Sequence, residues 1–118
     1  MVNLDPPPKK KFTIKSDFLY DTISGNHLYL VKLMIDNGAD VNARSYTGNP
    51  IFHRLIYRVQ SGNASLLYDL IKLFLQKGVD LNIADKNGLT PIEIIKSFEP
   101  LKPNHKKILL LLGDLSEY

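Results

Sequence analysis

The feature that most constrains this chain is an internal repeat. Residues 77–93 read KGVDLNIADKNGLTPIE and echo residues 37–53, NGADVNARSYTGNPIFH, forty positions upstream. Four identical pairs fall in register at that spacing: Gly38 and Gly78, Asp40 and Asp80, Asn42 and Asn82, and Gly48 and Gly88. A repeat of this length is typical of chains built from similar units that stack against their neighbours.

The first unit has the apolar periodicity of two short helices. Ser16 is a candidate N-cap for a helix over 17–24, and Gly25 interrupts the pattern. A second helix is predicted over 27–37, with Gly38 as its left-handed C-cap. One face of this helix is apolar at helical spacing: Leu28, Val31, Met34 and Ile35.

The same cycle of two helices recurs twice. The second cycle starts at Asn49, breaks over SGNA, and continues in SLLYDLIKLFLQK up to Gly78. The third runs from Thr90 to about Phe98, breaks over EPLKPN, and ends in HKKILLLL before Gly113. The linking segments GADVNARSYTGN and GVDLNIADKNGL are rich in Asp, Asn and Gly, which favour hairpin-like turns. We therefore predict three helix pairs, in units of about 16–45, 46–85 and 86–118.

Helix pairs joined by such loops resemble the ankyrin repeat, which has a T-P-L-H-x-A signature and a period of 33 residues. NGLTPIEII and GADVNAR resemble the two halves of that motif. The resemblance implies an all-α, ankyrin-like solenoid of about three helix-turn-helix units joined by hairpin-like loops. It covers the predicted domain at 16–118 and makes the first unit an N-terminal cap.

The chain departs from the family pattern in the second and third units. Pro50 and Ile51 replace the Thr-Pro pair, so His53 keeps the histidine position but loses the threonine hydroxyl that partners it in the family. In the third unit Thr90 is present and Glu93 takes the histidine's place, which predicts a capping box. The middle unit is also seven residues longer than the family period, with the extension at about 54–66.

Composition and charge limit the class of protein. With 118 residues, 44% hydrophobic and 23% charged, the chain suits one globular domain, and its apolar run 108–113 is too short to cross a bilayer. The absence of cysteine fits a reducing compartment, so we expect the cytoplasm, of a host cell if the protein is exported there. Four lysines against Asp5 in residues 1–15 account for the whole net charge of +3. We predict a flexible basic tail there and a neutral fold.

Catalytic and metal-binding chemistry find little support in the sequence. His27, His53 and His105 lie in different units without metal-ligand spacing, and no phosphate-binding loop or nucleophile elbow is present. We expect His27 and His105 on exposed faces and His53 at a helix start. The prediction is a protein that is not an enzyme, with no catalytic residue, no cofactor, no metal and no small-molecule substrate.

The resemblance implies that another protein is bound on the concave face and the loop tips. At matching positions, the tips are Arg44, Ser45 and Tyr46 in the first loop and Asp85, Lys86 and Asn87 in the second. The inner helix of the middle unit is expected to present Arg54, Tyr57 and Arg58 to the same side, where the arginines suit a partner's carboxylates. The alternative is that these residues bind no partner: their polar ends are solvated and the aliphatic parts of their side chains cover the helix below.

Two other functions stay open at this point. One is a nucleic-acid or chromatin-associated factor acting through the tail, since Lys9 to Lys11 could also direct nuclear import; the neutral fold makes nucleic-acid binding unlikely. The other is a self-assembling structural protein, although we expect a monomer. A host-directed effector or a regulator fits the main prediction equally well.

Overall fold

The fold is all-α in the part of the chain that the structure describes. A computed structural model describes residues 16–25, 27–60 and 64–113, and within these ranges it has helices and no strands. The helices are α1 (Ser16–Ser24), α2 (Leu28–Asp36), α3 (Ile51–Arg58), α4 (Ala64–Gln76), α5 (Pro91–Lys96) and α6 (Pro103–Leu111). The predicted tail at 1–15 and part of the predicted extension, 61–63, lie outside the described ranges.

The helices form two rows. Consecutive helices contact each other in pairs: α1 with α2, α3 with α4, and α5 with α6. Contacts between pairs run from α1 to α3 to α5 on one side and from α2 to α4 to α6 on the other. We call these the first row and the second row. Each pair therefore covers the apolar flank of the next, because a short amphipathic helix is stable only when its apolar face is packed.

The core lies between the two rows. All four residues of the apolar face predicted for the second helix are buried. Of the five predicted for α4, Leu67, Leu70, Ile71 and Phe74 are buried and Leu75 is half-buried. In the middle pair, the rings of Phe52 and Phe74 pack with their centroids 5.4 Å apart. The helical period read from the sequence therefore identifies the faces that the fold buries.

Gly38 and Gly78 end the second-row helices α2 and α4, as predicted. Both adopt positive φ, at 95° and 84°, a conformation that residues with a β-carbon rarely adopt. After each glycine the chain turns back: the Ala39 N–H donates to the Met34 carbonyl and the Val79 N–H to the Phe74 carbonyl. This C-terminal capping directs both loops toward the first row.

The two loops repeat one hydrogen-bonding pattern. In the first, the Ser45 N–H donates to the Asn49 carbonyl at 2.7 Å and the Gly48 N–H to the Ser45 carbonyl at 2.8 Å. In the second, Asp85 bonds in the same way with Leu89, at 2.9 Å, and Gly88. Arg44 and Pro50 form an isolated antiparallel bridge in the first loop. The loops are thus two copies of a tight hairpin-like turn.

The capping box predicted at Thr90 is confirmed. The Thr90 hydroxyl accepts a hydrogen bond from the Glu93 N–H, and the Glu93 carboxylate accepts from the Thr90 N–H at 3.1 Å. That backbone hydrogen bond lowers the pKa of Glu93 below its ordinary value.

Loss of this cap has a measurable cost. We expect Thr90→Ala to lower the free energy of unfolding by about 1 kcal/mol and the melting temperature by roughly 4–8 °C. Thr90→Ser is the control, because serine keeps the accepting hydroxyl. Equal melting temperatures for the alanine and serine variants, measured by circular dichroism, would show that the cap contributes nothing.

Candidate functional site

A polar groove lies where the first row meets the second loop. Its volume is about 360 Å³. The first-row helices α1 and α3 contribute Tyr20, His53, Arg54 and Tyr57. The two loops contribute Asn49, Pro50, Asp85, Lys86 and Asn87. The groove therefore joins all three units, because α1, α3 and the second loop belong to successive units.

The structure brings together some of the predicted contact residues and separates others. Those that line the groove are Arg54, Tyr57, Asp85, Lys86 and Asn87. Arg44, Ser45 and Tyr46 lie in the first loop and do not line it, and Tyr46 is 89% exposed at the tip.

Arg58 does not join this group. It is half-buried, outside the groove lining, and its Nε is buried without a hydrogen-bond partner among the described residues. Arg58 is the last residue of α3 and lies one turn beyond Arg54, past the residues that line the groove, and its role as a contact residue stays a prediction.

Tyr57 and Asp85 bond to each other across the groove wall. The Tyr57 hydroxyl donates to the Asp85 carboxylate at 3.0 Å. The same carboxylate accepts from the backbone N–H groups of Asn87, at 2.9 Å, and Leu89, at 3.1 Å. Partial burial alone would raise the pKa of Asp85, but these hydrogen bonds outweigh it and lower the pKa. Burial raises the pKa of Tyr57. The pair is a fixed part of the wall.

Arg54 is held by α1. Its Nε donates to the Ser24 hydroxyl at 2.8 Å, and its guanidinium carbon lies 6.0 Å from the centroid of the Tyr20 ring. Among the described residues, Lys32 forms an ion pair with Asp36, and neither Arg54 nor Lys86 has a carboxylate partner. The groove thus carries two cations whose charge the neighbouring residues leave unpaired.

His53 links α3 to the second loop and has one unsatisfied nitrogen. Its Nε2 lies 2.7 Å from the Ile83 carbonyl oxygen and must donate to it, so the neutral ring leaves Nδ1 as an acceptor. Nδ1 is buried and has no partner in the described residues. Burial also lowers the pKa of His53. This agrees with the loss of a threonine hydroxyl inferred from Pro50 in the sequence.

Restoring that hydroxyl provides a test. In the third unit, Thr90 donates to the Glu93 carboxylate at 2.9 Å, and position 50 bears the same relation to His53. We expect Pro50→Thr to be more stable than Pro50→Val by about 1 kcal/mol, since valine has the same shape without the hydroxyl. Urea unfolding of both variants measures this difference. A valine variant as stable as the threonine variant would show that Nδ1 does not need the bond.

Asn42 forms a connection that the sequence argument missed. Its side-chain oxygen accepts from the Asp80 N–H at 2.7 Å, and its side-chain nitrogen donates to the Gly78 carbonyl at 3.3 Å. Asn42 therefore ties the first loop to the second. The recurrence of asparagine at 42 and 82 was the available signal, but the pairing depends on how the units stack.

His105 is buried, so the expectation that it is exposed was wrong. It is 1% exposed, its Nδ1 accepts from the Lys102 N–H at 3.1 Å, and its ring packs edge-on against Phe98 with centroids 5.2 Å apart. Helix α6 begins at Pro103, two residues earlier than predicted, so His105 is its third residue. Burial lowers the pKa of His105. His27 is exposed, as expected.

The described residues contain neither a metal-binding cluster nor a membrane-spanning helix. No group of three or more His, Asp or Glu side chains in residues 16–25, 27–60 and 64–113 is arranged to hold a metal ion. None of the helices in the described ranges has the length and apolar character needed to span a bilayer.

Comparisons with known proteins give partial matches. No family model matches the chain. Alpha-latrotoxin-Lg1a of Latrodectus geometricus is 36% identical over 63 residues, which is 53% of this chain and 4% of the toxin. The chain thus spans a small fraction of that relative. A functionally unknown protein from Leptotrichia buccalis C-1013-b aligns with a TM-score of 0.48 and 22% identity, over 87% of this chain and 80% of that one.

Proposed function

We propose that this protein is a non-enzymatic protein-interaction module built as an ankyrin-like solenoid of three units. The two rows of helices, the paired loops and the forty-residue repeat support the solenoid. The main support for this function is the groove, in which Arg54 and Lys86 have no carboxylate partner among the described residues and lie beside tyrosines on a wall of internally bonded residues.

A rigid groove of this composition suits protein binding. Tyrosine and arginine are enriched among the residues that contribute most to protein interfaces. Arg54 and Tyr57 are already held in place by Ser24 and Asp85, so binding would cost little side-chain entropy. The loop that supplies Lys86 is fixed in turn by the Tyr57 and His53 hydrogen bonds.

The same geometry argues against catalysis. The Asp85 carboxylate is occupied by three donors, and the Nε2 of His53 is occupied by the Ile83 carbonyl. The remaining nitrogen of His53, Nδ1, is buried. Neither group is therefore open to a substrate as a general acid or base, which must reach the proton that it transfers. The proposed module needs no cofactor.

The test compares two matched surface pairs. We expect Arg54→Ala with Tyr57→Ala to lose at least roughly tenfold in partner capture from a cell lysate, measured by quantitative mass spectrometry, as expected for interface hot spots. The control is Tyr68→Ala with Lys72→Ala on the second row, where a lysine also lies over a tyrosine ring, at 5.8 Å. Thermal melts establish that both variants fold. Equal capture by the two folded variants would contradict the proposal.

Self-association is a second candidate, favoured by a specific observation. The first helix pair exposes Phe18, Leu30 and Leu33, which are 57%, 39% and 58% accessible. Sedimentation equilibrium at several concentrations tests it. A monomer at all concentrations removes this candidate, whereas a dimer that Leu33→Ser dissociates supports it.

A further inference from the structure

We infer that the groove binds an extended, acidic peptide segment of the partner, with one carboxylate seated between Arg54 and Lys86. This inference rests on the proposed function, since it names the chemistry that the same groove would recognise. It is based on which of the charged side chains that line the groove already have hydrogen-bond partners and which do not.

The two cationic side chains of the groove, Arg54 and Lys86, are available to bind a ligand, whereas the carboxylate of Asp85 is already hydrogen-bonded. The terminal guanidinium nitrogens of Arg54 and the Nζ of Lys86 have no hydrogen-bond partner among the described residues. The Asp85 carboxylate, by contrast, already accepts from the Tyr57 hydroxyl and two backbone N–H groups. The groove therefore offers unpaired donors and a carboxylate with little remaining capacity to accept.

The geometry of Arg54 suits a carboxylate. Its Nε is bonded to Ser24 and its guanidinium carbon lies 6.0 Å from the Tyr20 ring centroid, so two contacts restrain the group before binding. A held guanidinium presents its two terminal nitrogens as a fork that matches the two oxygens of a carboxylate. Lys86 is exposed on the second loop and lines the same groove, where it supplies a flexible point charge.

The alternative of single-stranded nucleic acid fits the groove less well. Stacking of bases needs free aromatic faces, but Tyr57 is half-buried and tied to Asp85. The ionised Asp85 in the wall would also repel a phosphate backbone. An extended peptide fits the groove better, because it can place one acidic side chain beside Arg54 and Lys86 and leave its uncharged backbone near Asp85.

The experiment selects ligands without assuming a partner. A displayed library of random twelve-residue peptides is panned on the full chain, and the best clone is made as a fluorescent peptide for anisotropy. We expect enrichment of Asp and Glu over the unselected library. We expect Arg54→Gln and Lys86→Gln each to weaken binding roughly tenfold, since each removes a charged hydrogen bond. Lys72→Gln on the second row is the control and should leave affinity unchanged.

A double-mutant cycle locates the contact. Changing the acidic residue of the peptide to its amide should weaken binding to the wild type but cause little further loss in Arg54→Gln. Three results would overturn the inference: no enriched peptide, enriched peptides that are neutral or basic, or a loss as large in Lys72→Gln. Tighter binding of an oligothymidine probe than of any peptide would assign the groove to nucleic acid.

The two proposals fail in distinguishable ways. If the Arg54 and Tyr57 alanine variant loses partner capture while the selected peptides are not acidic, the interaction function stands and the acidic specificity is wrong. If capture is unchanged by that variant and no peptide is selected, the groove is not a binding site and both proposals fall.

Discussion

Replacing Phe52 with alanine should remove a large part of the protein's stability. Phe52 is 2% exposed and packs on Phe74 between the two rows, in the middle pair that contacts both other pairs. Truncation of a buried phenylalanine costs about 3–5 kcal/mol, against a total of about 5–15 kcal/mol for a typical domain. Urea unfolding followed by circular dichroism measures the loss.

Phe18 provides the matched control for this substitution. It is a phenylalanine on the first row, but it is 57% exposed. Phe18→Ala should change the free energy of unfolding by about 0.5 kcal/mol or less, as for surface substitutions in general. A loss of similar size for both variants would contradict the placement of Phe52 in the core.

His53→Ala is the second large expected effect. The change leaves the Ile83 carbonyl without its donor, which costs about 1–3 kcal/mol for a buried group, and it also opens a cavity beside the second loop. We expect the second loop to lose protection in amide hydrogen exchange before the helices do. Unchanged exchange in residues 79–90 would show that His53 does not hold this loop.

The stability of the folded protein should decrease on acidification, because His53 and His105 are buried as neutral rings. Burial lowers the pKa of His53 and of His105 in the folded state, so the unfolded chain binds more protons below its own pKa of about 6.5. The stabilisation is complete above that value and is lost as the pH falls below it. We expect the urea midpoint to decrease between pH 7 and pH 5.5.

Between pH 7 and pH 5.5, the change in stability comes from the histidines and not from the carboxyl groups. The lowered pKa values of Asp85 and Glu93 contribute stability that is lost only as the pH falls below about 4, their range in the unfolded chain. The variant His53→Ala should show a smaller decrease between pH 7 and pH 5.5 than the wild type. A wild-type midpoint that rises on acidification would contradict the neutral, buried state of both rings.

Local features of the fold could be predicted from the sequence. The apolar faces of α2 and α4, the glycines that end these helices, and the Thr90 capping box depend on residues close together in the chain. Periodicity, backbone conformation and capping act over a few residues, so one sequence is enough to identify them.

Features that depend on the stacking of units could not be predicted in the same way. The burial of His105, the position of Arg58 and the Asn42 bridge to Gly78 and Asp80 arise from contacts between elements far apart in sequence. In the groove, Tyr57 and Asp85 stay predicted contact residues, but the bond that joins them could not be predicted from the sequence. Spacing alone does not give the bonding state of a side chain.

Photo-crosslinking from two matched tyrosine positions would show which face of the protein binds the partner. Tyr20 lies in the groove beside Arg54, and Tyr68 lies on the second row beside Lys107, at 4.8 Å; both are half-buried. Each is replaced in turn with benzoylphenylalanine, and the protein is irradiated in a lysate that contains its partner. We expect a discrete crosslinked product from position 20 and none from position 68. A product from position 68 alone would place the partner on the second row and contradict the account.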